Sequence, residues 1–139
     1  MKECIAIVSV VGSACFISTP IGAQQSLLGK SCLGTFDTRK STGSEYDLGA
    51  VRINFGSTMP LTSTTEVAPG KAAFGRPDSV TKYDPSSRAT NISYGNKKLV
   101  FTTTSGSKWS LAGDGTSFTG QVDPRPSRPN IAFVKVNCR

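Results

Sequence analysis

Two cysteines, Cys32 and Cys138, bracket nearly everything in this chain that can fold. Joined as a disulfide, they would force the first and last folded segments to lie side by side. That is the arrangement in which a sheet curls into a barrel or a sandwich. The bond would close a loop of 107 residues. In the chain-entropy account a loop of that length restricts the unfolded state by about 4.7 kcal/mol. The alternative is a pair of separate buried thiols, and the compartment decides between them.

The other two cysteines, Cys4 and Cys15, fall in a segment of a different kind. Residues 1–23 begin with Lys2, run through an apolar stretch from Cys4 to Ile17, break at Ser18-Thr19-Pro20 and end in Ile21-Gly22-Ala23. A basic start, an apolar core and a small residue before the cut are the parts of a secretory signal peptide. The apolar run is shorter than the roughly 20 residues that span a bilayer. We therefore expect cleavage after Ala23, a secreted or periplasmic location, and no stable membrane span after processing. The expected organisation is a signal peptide at 1–23, a short extension at 24–31 and one domain at 32–139. Cys4 and Cys15 leave with the signal, and an oxidising destination favours the Cys32–Cys138 bond.

The remaining chain reads as strands and turns. No segment places apolar residues at helical spacing over three turns. Alternation marks strands at Leu33–Thr38, Ala50–Gly56, Thr62–Ala68, Ala89–Tyr94, Lys97–Thr104, Lys108–Ala112, Thr116–Val122 and Ile131–Asn137, with shorter ones at Ala72–Phe74 and Val80–Tyr83. Gly95-Asn96 reads as a two-residue hairpin turn and Asp114-Gly115 as a type I′ turn. The runs Thr62-Ser63-Thr64-Thr65 and Thr102-Thr103-Thr104 read as solvated strand faces. The expectation is an all-β fold: a small antiparallel barrel of about eight strands, a meander in its C-terminal half, fastened at its termini by one disulfide.

Three pieces carry a resemblance: Cys32-Leu33-Gly34-Thr35-Phe36, the strand Gly95–Phe101, and the hairpin from Gly106 through Trp109 and Asp114-Gly115 to Gly120. Together they resemble the lipocalin- or calycin-like small exported bacterial β-barrel proteins. The resemblance implies a barrel with an interior, although Phe36 stands where a lipocalin Gly-x-Trp motif has its tryptophan. The stretch Ser105-Gly106-Ser107-Lys108-Trp109 is similar to the inhibitory hairpin loop of periplasmic c-type lysozyme inhibitors.

The residue inventory removes several chemistries. There is no histidine in the 139 residues. That excludes a Ser-His-Asp triad, a histidine base and histidine metal ligands. With the cysteines paired, only oxygen ligands remain, and the calcium-loop pattern is missing around Asp114-Gly115. No metal or other cofactor is expected. A hydrolase would need two facing carboxylates, and Glu45 with Asp47 is the nearest sequence pair. No base is placed beside a nucleophile, so we expect no catalytic residues and no enzyme activity, with a carboxylate hydrolase as the third reading.

Binding is the positive expectation. Phe55, Phe101, Trp109, Phe118 and Phe133 are the candidates to line a barrel interior around a small ligand, or simply to fill it as core. A formal net charge of +7 favours an anionic partner, whether a glycan, another envelope component or a protein. Lys108, Arg125 and Arg128 are the candidate surface contacts, the last two in the Pro-rich loop Asp123–Asn130. Nucleic acid is disfavoured by dispersed charge and by export. The leading expectation is thus an exported, monomeric, non-catalytic binding protein. The runner-up is a secreted or periplasmic inhibitor of a protease or lysozyme that acts through its hairpin loops.

Overall fold

The structure is a computed structural model, and it describes residues 21–38, 48–126 and 129–139. The signal-peptide reading of residues 1–20 lies outside the described residues, as do Glu45, Asp47 and Arg128.

The fold is all-β. Nine strands run in chain order: β1 Ser31–Asp37, β2 Leu48–Phe55, β3 Ser63–Pro69, β4 Ser87–Ala89, β5 Ser93–Gly95, β6 Lys98–Thr102, β7 Lys108–Gly113, β8 Ser117–Val122 and β9 Ala132–Cys138. Two five-residue helical turns, α1 Ile21–Gln25 and α2 Lys71–Gly75, and a 3₁₀ turn at Pro77–Ser79 complete it. The strands form one antiparallel sheet in the order β4-β3-β2-β1-β9-β8-β7-β6-β5, curled into a half-barrel.

That order has a simple meaning. One meander, β1 to β4, runs outward from the middle of the sheet, and a second, β5 to β9, runs back to it. The seam between them is the β1–β9 pair, with Cys32 directly opposite Cys138, and those two residues form the disulfide. Ser31 and Arg139 exchange both backbone hydrogen bonds beside it, at 2.9 and 3.0 Å. The cysteines therefore occupy the neighbouring non-hydrogen-bonded position, where facing side chains come closest. At the same seam Gly34 lets the strands approach: a Cβ there would fall on the carbonyl oxygen of Lys135. The far edges meet across the gap in the sheet, where the Thr104 amide donates to the Arg88 carbonyl at 2.7 Å.

Period-2 alternation sends one side of each strand inward. Val51, Ile53 and Phe55 of β2, Leu99 and Phe101 of β6, Trp109 and Leu111 of β7, and Val134 and Val136 of β9 form a single core. Leu27, just after α1, is fully buried in that core, and Ala23 and Leu28 pack against it. The segment just before the domain is thus part of it, and α1 straddles the expected cleavage position, with the Ser26 amide donating to the carbonyls of Gly22 and Ala23.

Several local expectations are corrected. Ala72–Phe74 belongs to the turn α2, and Val80–Tyr83 is not a strand. The stretch Ala89–Tyr94 is two strands on opposite edges, since β4 pairs with β3 and β5 with β6. The β5–β6 turn residues are Asn96 and Lys97, at φ 50° and 59°, one position later than Gly95-Asn96. Positive φ at both central residues is the type I′ requirement. At the β7–β8 connection Asp114 has no positive φ, so the turn is not type I′. Instead its Oδ1 accepts from the Thr116 amide at 2.9 Å, the Thr116 hydroxyl at 2.7 Å and the Ser117 amide at 3.3 Å. These bonds stabilise the carboxylate and hold its pKa down to about 2.

Candidate ligand-binding site

The half-barrel is filled at one end and hollow at the other. At the disulfide end Leu27, Ile53, Leu111, Phe118 and Val136 close the interior. There Tyr94 meets Phe118 edge-on, with ring centroids 5.5 Å apart, and its hydroxyl donates to the Gly113 carbonyl at 3.1 Å. Burial raises the Tyr94 pKa. Towards the opposite end the interior opens into a cavity of about 330 Å³, whose apolar wall includes Phe36, Val67, Val122, Ala132 and Val134.

Trp109 lines this cavity from β7. It faces Phe101 across the β6–β7 ladder, and the two rings stack 12° from parallel with centroids 5.6 Å apart. The indole is only 5% exposed, yet its Nε1–H makes no hydrogen bond among the described residues. From β3, Thr65 points in at an alternating inward position, and its Oγ1 is also unpaired among the described residues. So is the Oγ of Ser63, two residues earlier on the same face.

The rim is polar. Thr103, Ser105 and Ser107 form a tight turn between β6 and β7, with Gly106 at φ 88° and the Thr103 amide donating to the Ser107 carbonyl at 2.9 Å. Arg125, after β8, donates from Nη1 to the Ser105 carbonyl at 2.7 Å, while its buried Nε has no partner among the described residues. Asp84 and Ser87 complete the rim. Their segment is held to the edge of β3, past the residues that β4 pairs, by the Asp84 amide, which donates to the Val67 carbonyl at 2.8 Å. Nearby, Arg52 pairs with Glu66 at 2.6 Å and lies 4.3 Å from the Tyr83 ring centre. The hydrogen bond to Glu66 raises the Arg52 pKa, and burial raises that of Tyr83.

Of the aromatics expected in an interior, the structure brings only Trp109 to the cavity. Phe55, Phe101 and Phe118 are buried in the packed core and do not line it. Phe133 lies on the other side of β9, with Lys135, because Val134 and Val136 take the inward positions. Of the candidate surface cations, Arg125 stands at the rim, Lys108 is exposed at the start of β7, and Arg128 is outside the described residues. The Thr runs are not uniformly solvated: Ser63, Thr65 and Thr103 turn inward and are buried.

Among the described residues no group of three or more His, Cys, Asp or Glu side chains could hold a metal ion. No helix among them is long and apolar enough to cross a membrane. The chain matches no protein-family model, no curated protein and no solved structure.

Proposed function

We propose that this chain is an exported, non-catalytic binding protein that holds one small ligand in the hollow end of its half-barrel. One observation carries the reading. Thr65 Oγ1, Trp109 Nε1 and Arg125 Nε are buried polar atoms without partners among the described residues, and all three belong to residues lining the same cavity. Leaving such a group unsatisfied costs about 1–3 kcal/mol, so buried polar groups are nearly always paired. Three in one hollow, beside an apolar wall, is the pattern of a small-molecule site: mostly apolar lining with a few convergent polar groups. Among the described residues Asp84 is the only acidic side chain at the cavity, so no pair of facing carboxylates supports a hydrolase there. The Ser105–Ser107 turn is bonded to Arg125 and lines the hollow, which favours a ligand over capture of a protein by that hairpin.

Trp109 is the sole tryptophan of the chain, so tryptophan emission, excited selectively over tyrosine, reports on the cavity. Native mass spectrometry of protein purified from its host, followed by emission titrations with fractionated host extract, tests the reading. A co-purifying mass that shifts Trp109 emission on rebinding is the expected result. Protein that carries no ligand, and whose emission and melting temperature no fraction changes, would overturn it. N-terminal sequencing of the same material tests export; the expected first residue is Gln24.

A further inference from the structure

We infer that the ligand of this cavity is a compact carboxylate: one anionic oxygen head taken by Arg125 and Trp109, on a small apolar body. The inference rests on the binding reading above and adds the chemical class.

The head follows from the sign of the unpaired atoms. Trp109 Nε1 and Arg125 Nε are N–H groups, which donate and cannot accept. Thr65 Oγ1 can do either. The matching ligand must therefore bring acceptors. Arg125 is permanently charged, and a hydrogen bond from a guanidinium to an anionic oxygen is roughly twice as strong as a neutral one. The Ser105 carbonyl fixes one arm of the guanidinium through Nη1, and Nε is left buried without a partner among the described residues. Among the described residues the only opposing charge at the cavity is Asp84, which is exposed and makes no ion pair with Arg125. Water screens such a charge far more than a buried one. The surrounding chain carries a net +7, which adds a field of the same sign as the arginine.

The body follows from size and wall. About 330 Å³ lies at the bottom of the range of roughly 300–1,000 Å³ typical of small-molecule sites. Phe101 behind Trp109 and the packed disulfide end leave the hollow no continuation through the core. A long acyl chain cannot be enclosed in this volume, while a branched or aromatic group meets Phe36, Val67, Val122 and Val134.

The test is calorimetric titration of the disulfide-bonded protein with acid and amide pairs: benzoate with benzamide, 3-phenylpropanoate with its amide, and 4-methylpentanoate with its amide. Inorganic phosphate and acetate serve as heads without bodies. We expect at least one acid to bind about tenfold more tightly than its amide. Arg125→Gln, checked for folding by circular dichroism, should bring the two within about threefold. Phosphate and acetate should bind far more weakly than the best acid. Equal binding of acid and amide, or a preference unchanged in Arg125→Gln, overturns the anionic head and leaves the binding reading intact. Extract fractions that bind while every acid fails at millimolar concentration do the same. Phosphate or acetate binding as tightly as the acids overturns the apolar body. Only the failure of acids, amides and extract alike removes the site itself.

Discussion

Replacing both Cys32 and Cys138 with alanine tests whether the half-barrel depends on its seam. The disulfide joins residues 106 apart in sequence, at the pair where the two meanders meet. For a loop of that size the restriction lost from the unfolded state is about 4.7 kcal/mol. The native-state losses are smaller. Cys32 is fully buried, so exchange for alanine leaves a modest void, while Cys138 is only half-buried. Domains of this kind have total stabilities of roughly 5–15 kcal/mol, so a large fraction of the whole is at stake. The assay is urea unfolding followed by Trp109 emission and far-ultraviolet circular dichroism, with wild type, the double variant and the reduced wild type compared. The expected result is a loss of about 4–5 kcal/mol, or an unfolded double variant at 37 °C. Coincident transitions by the two probes establish that the comparison is two-state. A folded double variant within about 1 kcal/mol of wild type would refute the reasoning, because hydrogen bonding along β1 and β9 would then hold the seam without the restricted loop.

Three more outcomes follow from the same structure. Lys97 sits at φ 59° in a type I′ turn, so Lys97→Gly should stabilise the protein by about 1 kcal/mol, read as a rise of a few degrees in melting temperature. Leu27→Ala should cost about 2–5 kcal/mol in urea unfolding, since that side chain is fully buried although it precedes β1. The Asp114 carboxyl has a folded pKa of about 2, below its unfolded value near 4, so its contribution is present above pH 4 and is lost as pH falls towards 2. Asp114→Asn should therefore be less stable than wild type at pH 6, with the difference shrinking between pH 4 and pH 2 in urea titrations at each pH.

Most of the sheet was legible because alternation and turn residues are local signals. Val51-Arg52-Ile53-Asn54-Phe55 and Trp109-Ser110-Leu111 each state which face is inward without reference to the rest of the chain. The cysteine pair supplied the one long-range constraint, that the ends meet. What local signals miss is partner choice. Ala89–Tyr94 alternates like a single strand, yet its halves bond to β3 and β6 on opposite edges, and nothing within six residues encodes that division. The site was harder still. Thr65 and Thr103 look like surface threonines by composition, and they are cavity residues only because the register of β3 and the turn after β6 send them inward. The signal existed in the spacing, because Thr65 falls on the same parity as Ser63 and Val67. Phe133 was misplaced by weight given to its ring over the parity of Val134 and Val136.

The placing of the first and last strands at the centre of the sheet has a consequence for the timing of folding. As the chain emerges amino terminus first, β1 to β4 can pair among themselves, but β1 has an unpaired inner edge until β9 arrives. The later strands meet the same limit, for β8 also awaits β9 before the second meander can join the first. The final seven-residue strand thus completes both halves in one event, and Cys138 comes within reach of Cys32 only then. Until β9 pairs on both of its sides, neither half of the sheet has its full set of neighbours, and the bond that fastens them has no native register in which to form.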